Sequence, residues 1–295
     1  MPRRYAATVP TVAEIVGCLE RLYPPHWAES WDAVGLVCGD PAAAVELVLF
    51  AVDPVAPVAA EAVERGAGLI VTHHPLFLRG VHGVPATTPK GRLVHTLLTS
   101  GIALYVAHTN ADVASPGVSD ELARALGLEP LRPLATTAAT AGVPAPPGRP
   151  GLGLGRICEL AEPEPLSAFV DRVRRALPAT VAGIRVAGDP DQPIRRIAVA
   201  GGAGDDRFDD ARAAGVDVYL TADLRHHPVS ESRQHGRPAL VEVAHWASEW
   251  PWLTSAARLL ARQLAAAGTT VETHISTIVT DPWTAHVAPD RGAGS

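Results

Sequence analysis

The stretch Leu69-Ile70-Val71-Thr72-His73-His74-Pro75 constrains this chain more than any other. Three large aliphatic residues, entered through Gly66 and Gly68 and stopped by Pro75, predict a short buried strand that ends in two adjacent histidines. Successive side chains leave a strand on opposite faces, so the two imidazoles are expected to serve different ions rather than clasp one. Taken alone, the pair reads first as one core and one surface histidine. Partners elsewhere have to decide.

The flanks supply an architecture. Val45 to Val52 reads as a strand ending at Asp53-Pro54, and Val55 to Arg65 as a helix closed by Gly66. With the histidine strand they make a βαβ unit, and α/β sheets place their sites at strand C-termini. A helix from Leu93 to Ser100 and a strand from Ile102 to Val106 follow, opening into His108-Thr109-Asn110-Ala111-Asp112. A parallel sheet sets His108 and Asp112 beside His73 and His74, and a carboxylate among imidazoles suits zinc, iron or manganese. Spacing does not choose between His108 and Asp112, and the stretch also reads as a polar turn. Upstream, a capped helix starts at Thr11, and Trp31-Asp32 either lines a site or packs in a turn.

The unit recurs. A gap-free shift of 149 positions lays Val48-Leu49-Phe50-Ala51 on Ile197-Ala198-Val199-Ala200, Gly66 on Gly215, and Leu69-Ile70-Val71-Thr72 on Val218-Tyr219-Leu220-Thr221. Two related βαβ cores are expected to present strand ends towards one cleft. In the second copy Ala222-Asp223 replaces the imidazole pair, and the later His226-His227-Pro228 falls four residues out of register. Gly201 to Gly204 followed by Asp205-Asp206 reads as a turn whose aspartates cap the next helix rather than as a phosphate loop.

After a strand from Ala239 to Val243 come His245 and Glu249, spaced i and i+4 so that a helix puts them on one face. Alone they read as a surface pair; beside His73, His74 and Asp112 they read as ligands. Leu253 to Ala267 continues as a helix, Val271 to Val279 as a last strand, and Asp290 to Ser295 as a frayed end. Between the repeats, 129–150 is Pro-, Ala- and Thr-rich and reads as a linker. Gly151-Leu152-Gly153-Leu154-Gly155 lacks dinucleotide-loop spacing.

At 295 residues the chain has room for about two domains. A hydrophobic share of 47% with 5% aromatic suits an aliphatic α/β core. The formal charge of -6 leaves no basic stripe, so no nucleic-acid partner is indicated. No apolar run reaches membrane length and no leader precedes the first helix, which reads as cytoplasmic. Cys18, Cys38 and Cys158 form no CxxC pair and read as packing residues.

Thr72-His73-His74-Pro75, His108-Thr109-Asn110-x-Asp112 and His245-x-x-Ser248-Glu249, preceded by Glu29-x-Trp31-Asp32-x-x-Gly35-Leu36, together resemble the dinuclear metal-centre family of GTP cyclohydrolase type 2 homologues, or NGG-interacting-factor-like proteins. The resemblance covers nearly the whole chain. It implies that His73, His74, Asp112, His245 and Glu249 hold two divalent ions. It also implies two related α/β domains with mixed sheets flanked by helices, the first domain (1–128 and 240–295) completed by the C-terminal segment and the second (151–239) inserted. A ring-shaped homohexamer and a short linker in place of a large insert go with it. The chemistry implied is hydrolysis of a small molecule by metal-activated water, GTP ring opening being one such reaction, with His108 or His227 shuttling protons. The alternative is a metal-binding or metal-delivery scaffold without turnover. Ala33, where asparagine is common, and Pro228, where aspartate often stands, depart from the family pattern.

Overall fold

The computed structural model describes residues 9–144, 148 and 150–287, so the expected fray over 290–295 lies outside the described residues. Helix α1 (Val12–Leu22) is capped at Thr11, whose hydroxyl accepts the Glu14 amide at 3.3 Å while its own amide donates to Glu14 Oε2 at 2.7 Å. Strands β1 (Gly35–Cys38), β2 (Leu47–Ala51), β3 (Leu69–Thr72) and β4 (Ala103–Val106) follow, with helix α2 (Ala56–Arg65) after β2 and α3 (Pro89–Thr99) after β3. Two short helices, α4 (Thr109–Val113) and α5 (Val118–Ala125), then lead away from β4.

The second half holds β5 (Pro130–Ala135), β6 (Leu154–Pro165), α6 (Leu166–Ala176), β7 (Arg185–Ala187), β8 (Pro193–Ala203), α7 (Phe208–Ala213), β9 (Val218–Ala222), α8 (His226–Gln234) and β10 (Ala239–Glu242). Helix α9 (His245–Ala266) and strand β11 (Glu272–Ile275) close the chain. The first sheet has the order β1-β4-β3-β2-β11 and the second β5-β6-β8-β9-β10-β7. Both are mixed. In the first, β4, β3, β2 and β11 are parallel and β1 is antiparallel to β4. In the second, β8, β9 and β10 are parallel, with β7 antiparallel beside β10 and β6 beside β8.

The repeat survives in the order of the strands. The 149-residue shift lays β3 on residues 218–221 of β9 and β1 on 184–187, of which 185–187 form β7. Each copy thus has three parallel strands with one antiparallel strand on the same flank.

Both faces of the first sheet are covered. Helices α1 and α9 pack on one face with Val48, Phe50, Val71, Tyr105 and Trp252, and α2 and α3 pack on the other with Leu49, Ile70 and Leu104. Such two-sided burial explains why β3 reads as an unbroken aliphatic run rather than an alternating one. In the second sheet α5 and α6 cover one face around Phe169, Val199 and Leu220.

Several expected elements shift. The stretch 129–150 does not begin as a linker: β5 pairs antiparallel with β6, because Pro130 and Pro133 are tolerated on an edge strand. Strand β10 starts at 239 and belongs to the second sheet, whereas β11 returns to pair with β2. The glycines at 201 and 202 extend β8 instead of forming a turn. The last strand is shorter than Val271 to Val279 and stops at Ile275. No helix among the described residues is long and apolar enough to cross a membrane.

Candidate metal centre

Six parallel strand ends converge. Asp53 follows β2, His73 and His74 follow β3, and His108 and Asp112 follow β4; Gly202 lies in β8, Asp223 follows β9, and His245 and Glu249 open α9 just after β10. This is the carboxyl-end crevice where open α/β sheets place their chemistry, here assembled from two sheets.

The two neighbouring histidines do not part as a regular strand would send them. Strand β3 closes at Thr72, so His73 and His74 lie in a bend beyond the pleat, with ring centroids 5.2 Å apart and both rings in one cluster. Strand alternation holds only while the ladder does.

Every imidazole of the cluster is oriented from behind. His73 Nδ1 donates to the Ala107 carbonyl at 2.9 Å, His74 Nδ1 meets Asp53 Oδ1 at 2.7 Å, His108 Nδ1 meets Asp32 Oδ1 at 2.8 Å, and His245 Nδ1 meets Asp223 Oδ2 at 2.7 Å. Fixing Nδ1 leaves Nε2 as the inward atom, which is how metal-ligating histidines are held. Inside, Glu249 Oε1 lies 3.4 Å from His73 Nε2 and 2.9 Å from His245 Nε2, and its Oε2 lies 3.0 Å from His74 Nε2. Asp112 Oδ1 stands 3.6 Å from His73 Nε2.

These donors fit divalent cations. His73 Nε2, Asp112 Oδ1 and Glu249 Oε2 are buried without a hydrogen-bond partner, a costly state unless a cation satisfies them. The ligand atoms form two trios, His73-His74-His108 and His74-His245-Glu249, each within 4.8 Å. Imidazole nitrogens and carboxylate oxygens suit zinc, iron or manganese.

Electrostatics agree. Burial works against charge on His74 and His245, but Glu249 and the aspartates behind them outweigh it and push the rings up to about 10 and about 11. His73 is raised in the same way by Glu249 and Asp112. Glu249 is itself buried, and the three facing imidazoles hold it well below the usual carboxylate range. Burial dominates at Asp112 and raises it. Asp32 is likewise desolvated, but bonds from His108 and Thr109 hold it down to about 2. Without metal, protons stand where cations fit.

The family model described as Duf34/NIF3 (NGG1p interacting factor 3) matches residues 10–282. The chain belongs to the DUF34/NIF3 family. A Streptomyces coelicolor protein named GTP cyclohydrolase 1 type 2 homolog is 54% identical over 280 residues, 95% of this chain and 96% of that one. A Mycobacterium tuberculosis protein of the same name is 37% identical over 369 aligned positions, covering 92% of this chain and 96% of its own. That alignment exceeds the 295 residues here, so the mycobacterial relative carries segments that this DUF34/NIF3 chain lacks. Among solved structures, a Bacillus cereus protein related to NIF3 superposes with a TM-score of 0.84 at 26% identity over 94% of this chain and 99% of that one. A Staphylococcus aureus hypothetical protein gives 0.83 at 28% identity over the same shares.

Sequence reasoning does not single out three residues of this DUF34/NIF3 centre. Asp53 is visible only as a strand terminus, although that is where such a site recruits side chains. Asp223 occupies the repeat position of His74 and takes up φ +54, the one positive φ of a non-glycine among the described residues. Gly202 lets β8 approach the cluster, since a Cβ there would stand 2.6 Å from Glu249 Oε1. His227 stands apart: it lies in the first turn of α8 with its ring against His226, and it lines none of the three cavities that reach the cluster.

Proposed function

We propose that this DUF34/NIF3 protein holds two divalent metal ions and hydrolyses a small-molecule substrate with them, GTP-cyclohydrolase-like ring opening being one reaction of that class. The observation that carries the reading is the set of inward Nε2 atoms, each with its Nδ1 bonded behind, around two carboxylates that each keep one buried oxygen without a hydrogen-bond partner. His73, His74, Asp112, His245 and Glu249 would hold the ions, with Glu249 spanning both sides because its two oxygens face different imidazoles. Bound there, two cations would bring the pKa of a water between them towards neutrality and stabilise negative charge developing on the substrate. Asp53 and Asp223 keep His74 and His245 in the orientation that points Nε2 inward. His108, turned by Asp32, presents its Nε2 to the same space and moves the proton.

The proposed assembly is a homohexamer in the cytoplasm, measurable as mass by light scattering. A delivery scaffold is the second reading. It is favoured by the partial exposure of His74 and His245, 22% and 30% of their side chains, which leaves bound ions open to exchange.

The test begins with elemental analysis of tag-free wild type beside His73→Ala and Glu249→Ala. About two ions per chain, lost in both variants, is the expected result. Turnover of a substrate panel that includes GTP, abolished in Asp112→Ala, separates the hydrolase from the scaffold. Wild type that takes up no metal after reconstitution would overturn both.

A further inference from the structure

Three cavities reach the cluster: one of ≈ 560 Å³ at His74 and Asp53 carries Lys90 and Arg92, whereas in the other two, a larger and a smaller, every arginine is already paired. The larger, ≈ 780 Å³, has His74 and His245 in its floor. Its walls carry Asp53, Asp223, Glu242 and Asp281 against a single arginine, Arg185, which is already paired with Glu242. The smaller, ≈ 320 Å³, carries Glu29, Asp112, Asp206 and Glu249 against Arg207, which is paired with Asp206 at 2.9 Å and Asp210 at 3.4 Å. No lysine lines either. One anionic atom of a ligand can rest on the ions, but in these two cavities further phosphates would meet carboxylates and no unpaired arginine or lysine.

The larger cavity has instead an aromatic wall. Trp283 lines it with 65% of its surface exposed, on a segment secured to the centre. Ser276 accepts Trp250 Nε1 at 3.0 Å through its carbonyl, and the Thr280 hydroxyl donates to Asp53, the carboxylate that orients His74. Asp281, which lines the same cavity, has its Oδ2 buried without a hydrogen-bond partner. An indole face and a carboxylate oxygen without a partner, lining one cavity, favour a flat ring that carries N–H donors or positive charge.

We propose, resting on the hydrolase reading above, that Trp283 is the stacking platform for a planar nitrogen heterocycle, uncharged or cationic and without a polyphosphate tail, which it presents to the ions at His74 and His245. Trp283 is a positioning and specificity residue: Asp281 accepts from the ring's N–H groups while the indole covers its face. The substrate class is then a nucleobase or nucleoside rather than a nucleoside triphosphate.

Calorimetric titration of the metal-reconstituted full chain with guanosine, 7-methylguanosine, GTP and ribose tests this. The expected result is that at least one nucleoside binds roughly tenfold more tightly than GTP and that ribose does not bind. Trp283→Ala then weakens that nucleoside roughly tenfold and Trp283→Phe recovers most of the loss, since base–aromatic stacking is sequence-tolerant and lost on truncation. Metal content and oligomeric mass stay those of wild type. Tighter GTP binding, no nucleoside binding, unchanged affinity in Trp283→Ala, or a change of oligomeric mass in that variant would overturn the platform. Elemental analysis of the same samples separates the two ideas: nucleoside binding without metal sinks only the hydrolase, and two ions without nucleoside binding sink only the platform.

Discussion

His74 and His245 lie 171 positions apart in the chain, yet their Nε2 atoms are 3.1 Å from each other. A carboxylate stands 2.7 Å behind each ring, Asp53 for one and Asp223 for the other, and Glu249 reaches both from the front. His74 follows a strand of the first sheet and His245 a strand of the second, so the pair is where the two sheets meet chemically. Two imidazoles pressed together between carboxylates hold positive charge at their contact, as protons or as metal.

The rear carboxylates should therefore control metal affinity without being ligands. Asp53→Ala and Asp223→Asn are expected to weaken metal binding roughly 10- to 100-fold while the fold persists. Asparagine is chosen at 223 because it tolerates the positive φ found there. Competition against a chelator of known affinity measures the loss; unchanged affinity in both variants would mean that the aspartates do not act on the ions.

Metal-free protein should lose stability as the solution becomes alkaline. His74 and His245 have folded pKa values raised to about 10 and about 11, so their contribution is fully present below the ordinary histidine value near 6.5 and disappears as pH climbs through the folded values. Glu249 is depressed, so its contribution is present above the usual carboxylate pKa and is lost as pH falls. Melting temperature in excess chelator is expected to peak between roughly pH 5 and 6.5 and to fall by pH 10. Metal-loaded protein should show the reverse trend over pH 5 to 8, because ligands must be deprotonated to bind. Parallel profiles with and without metal would rule out these imidazoles as the binding groups.

Gly202→Ala should empty the centre from the opposite side. The new methyl would sit 2.6 Å from Glu249 Oε1 and 3.3 Å from His245 Nε2, at φ +74. Gly66→Ala is the control, because it meets the same backbone strain at φ +68 with nothing within 4 Å. Each should cost about 1–3 kcal/mol in a urea titration. Only Gly202→Ala should lose metal by elemental analysis.

A buried ion pair outside the centre joins the two halves. Arg156 donates to Asp120 through Nε at 2.9 Å and Nη2 at 2.7 Å, and to the carbonyls of Gly153, Gly155 and Ala114. Both side chains are fully buried. Asp120→Ala would strand the guanidinium in the interior and is expected to cost about 3–5 kcal/mol by denaturant titration, whereas Asp120→Leu with Arg156→Met should cost less. Equal losses in the single and double variants would mean that shape, not charge, sets the penalty.

Much of the fold is legible along the chain because its signals are local. The Thr11-to-Glu14 box, the aliphatic runs of β2 and β3 and the gap-free repeat are written in residue order, where periodicity and capping act directly. The β5 edge is hidden, because proline and alanine on an edge strand look like a linker when the partner strand is not known. His73, His74, His108, Asp112, His245 and Glu249 stand out as chemistry-bearing types at strand ends.

What the amino-acid sequence determined by itself was the βαβ pattern, its duplication and the inventory of imidazoles and carboxylates that follow its strands. What only the tertiary structure decided was their convergence. It turned His73 and His74 into one cluster past the end of β3, set His227 aside on α8, and placed Asp53 and Asp223 behind the rings. The reason is physical: propensity and pattern act over neighbouring residues, whereas a 3.1 Å approach between residues 171 apart exists only after two sheets and α9 have packed.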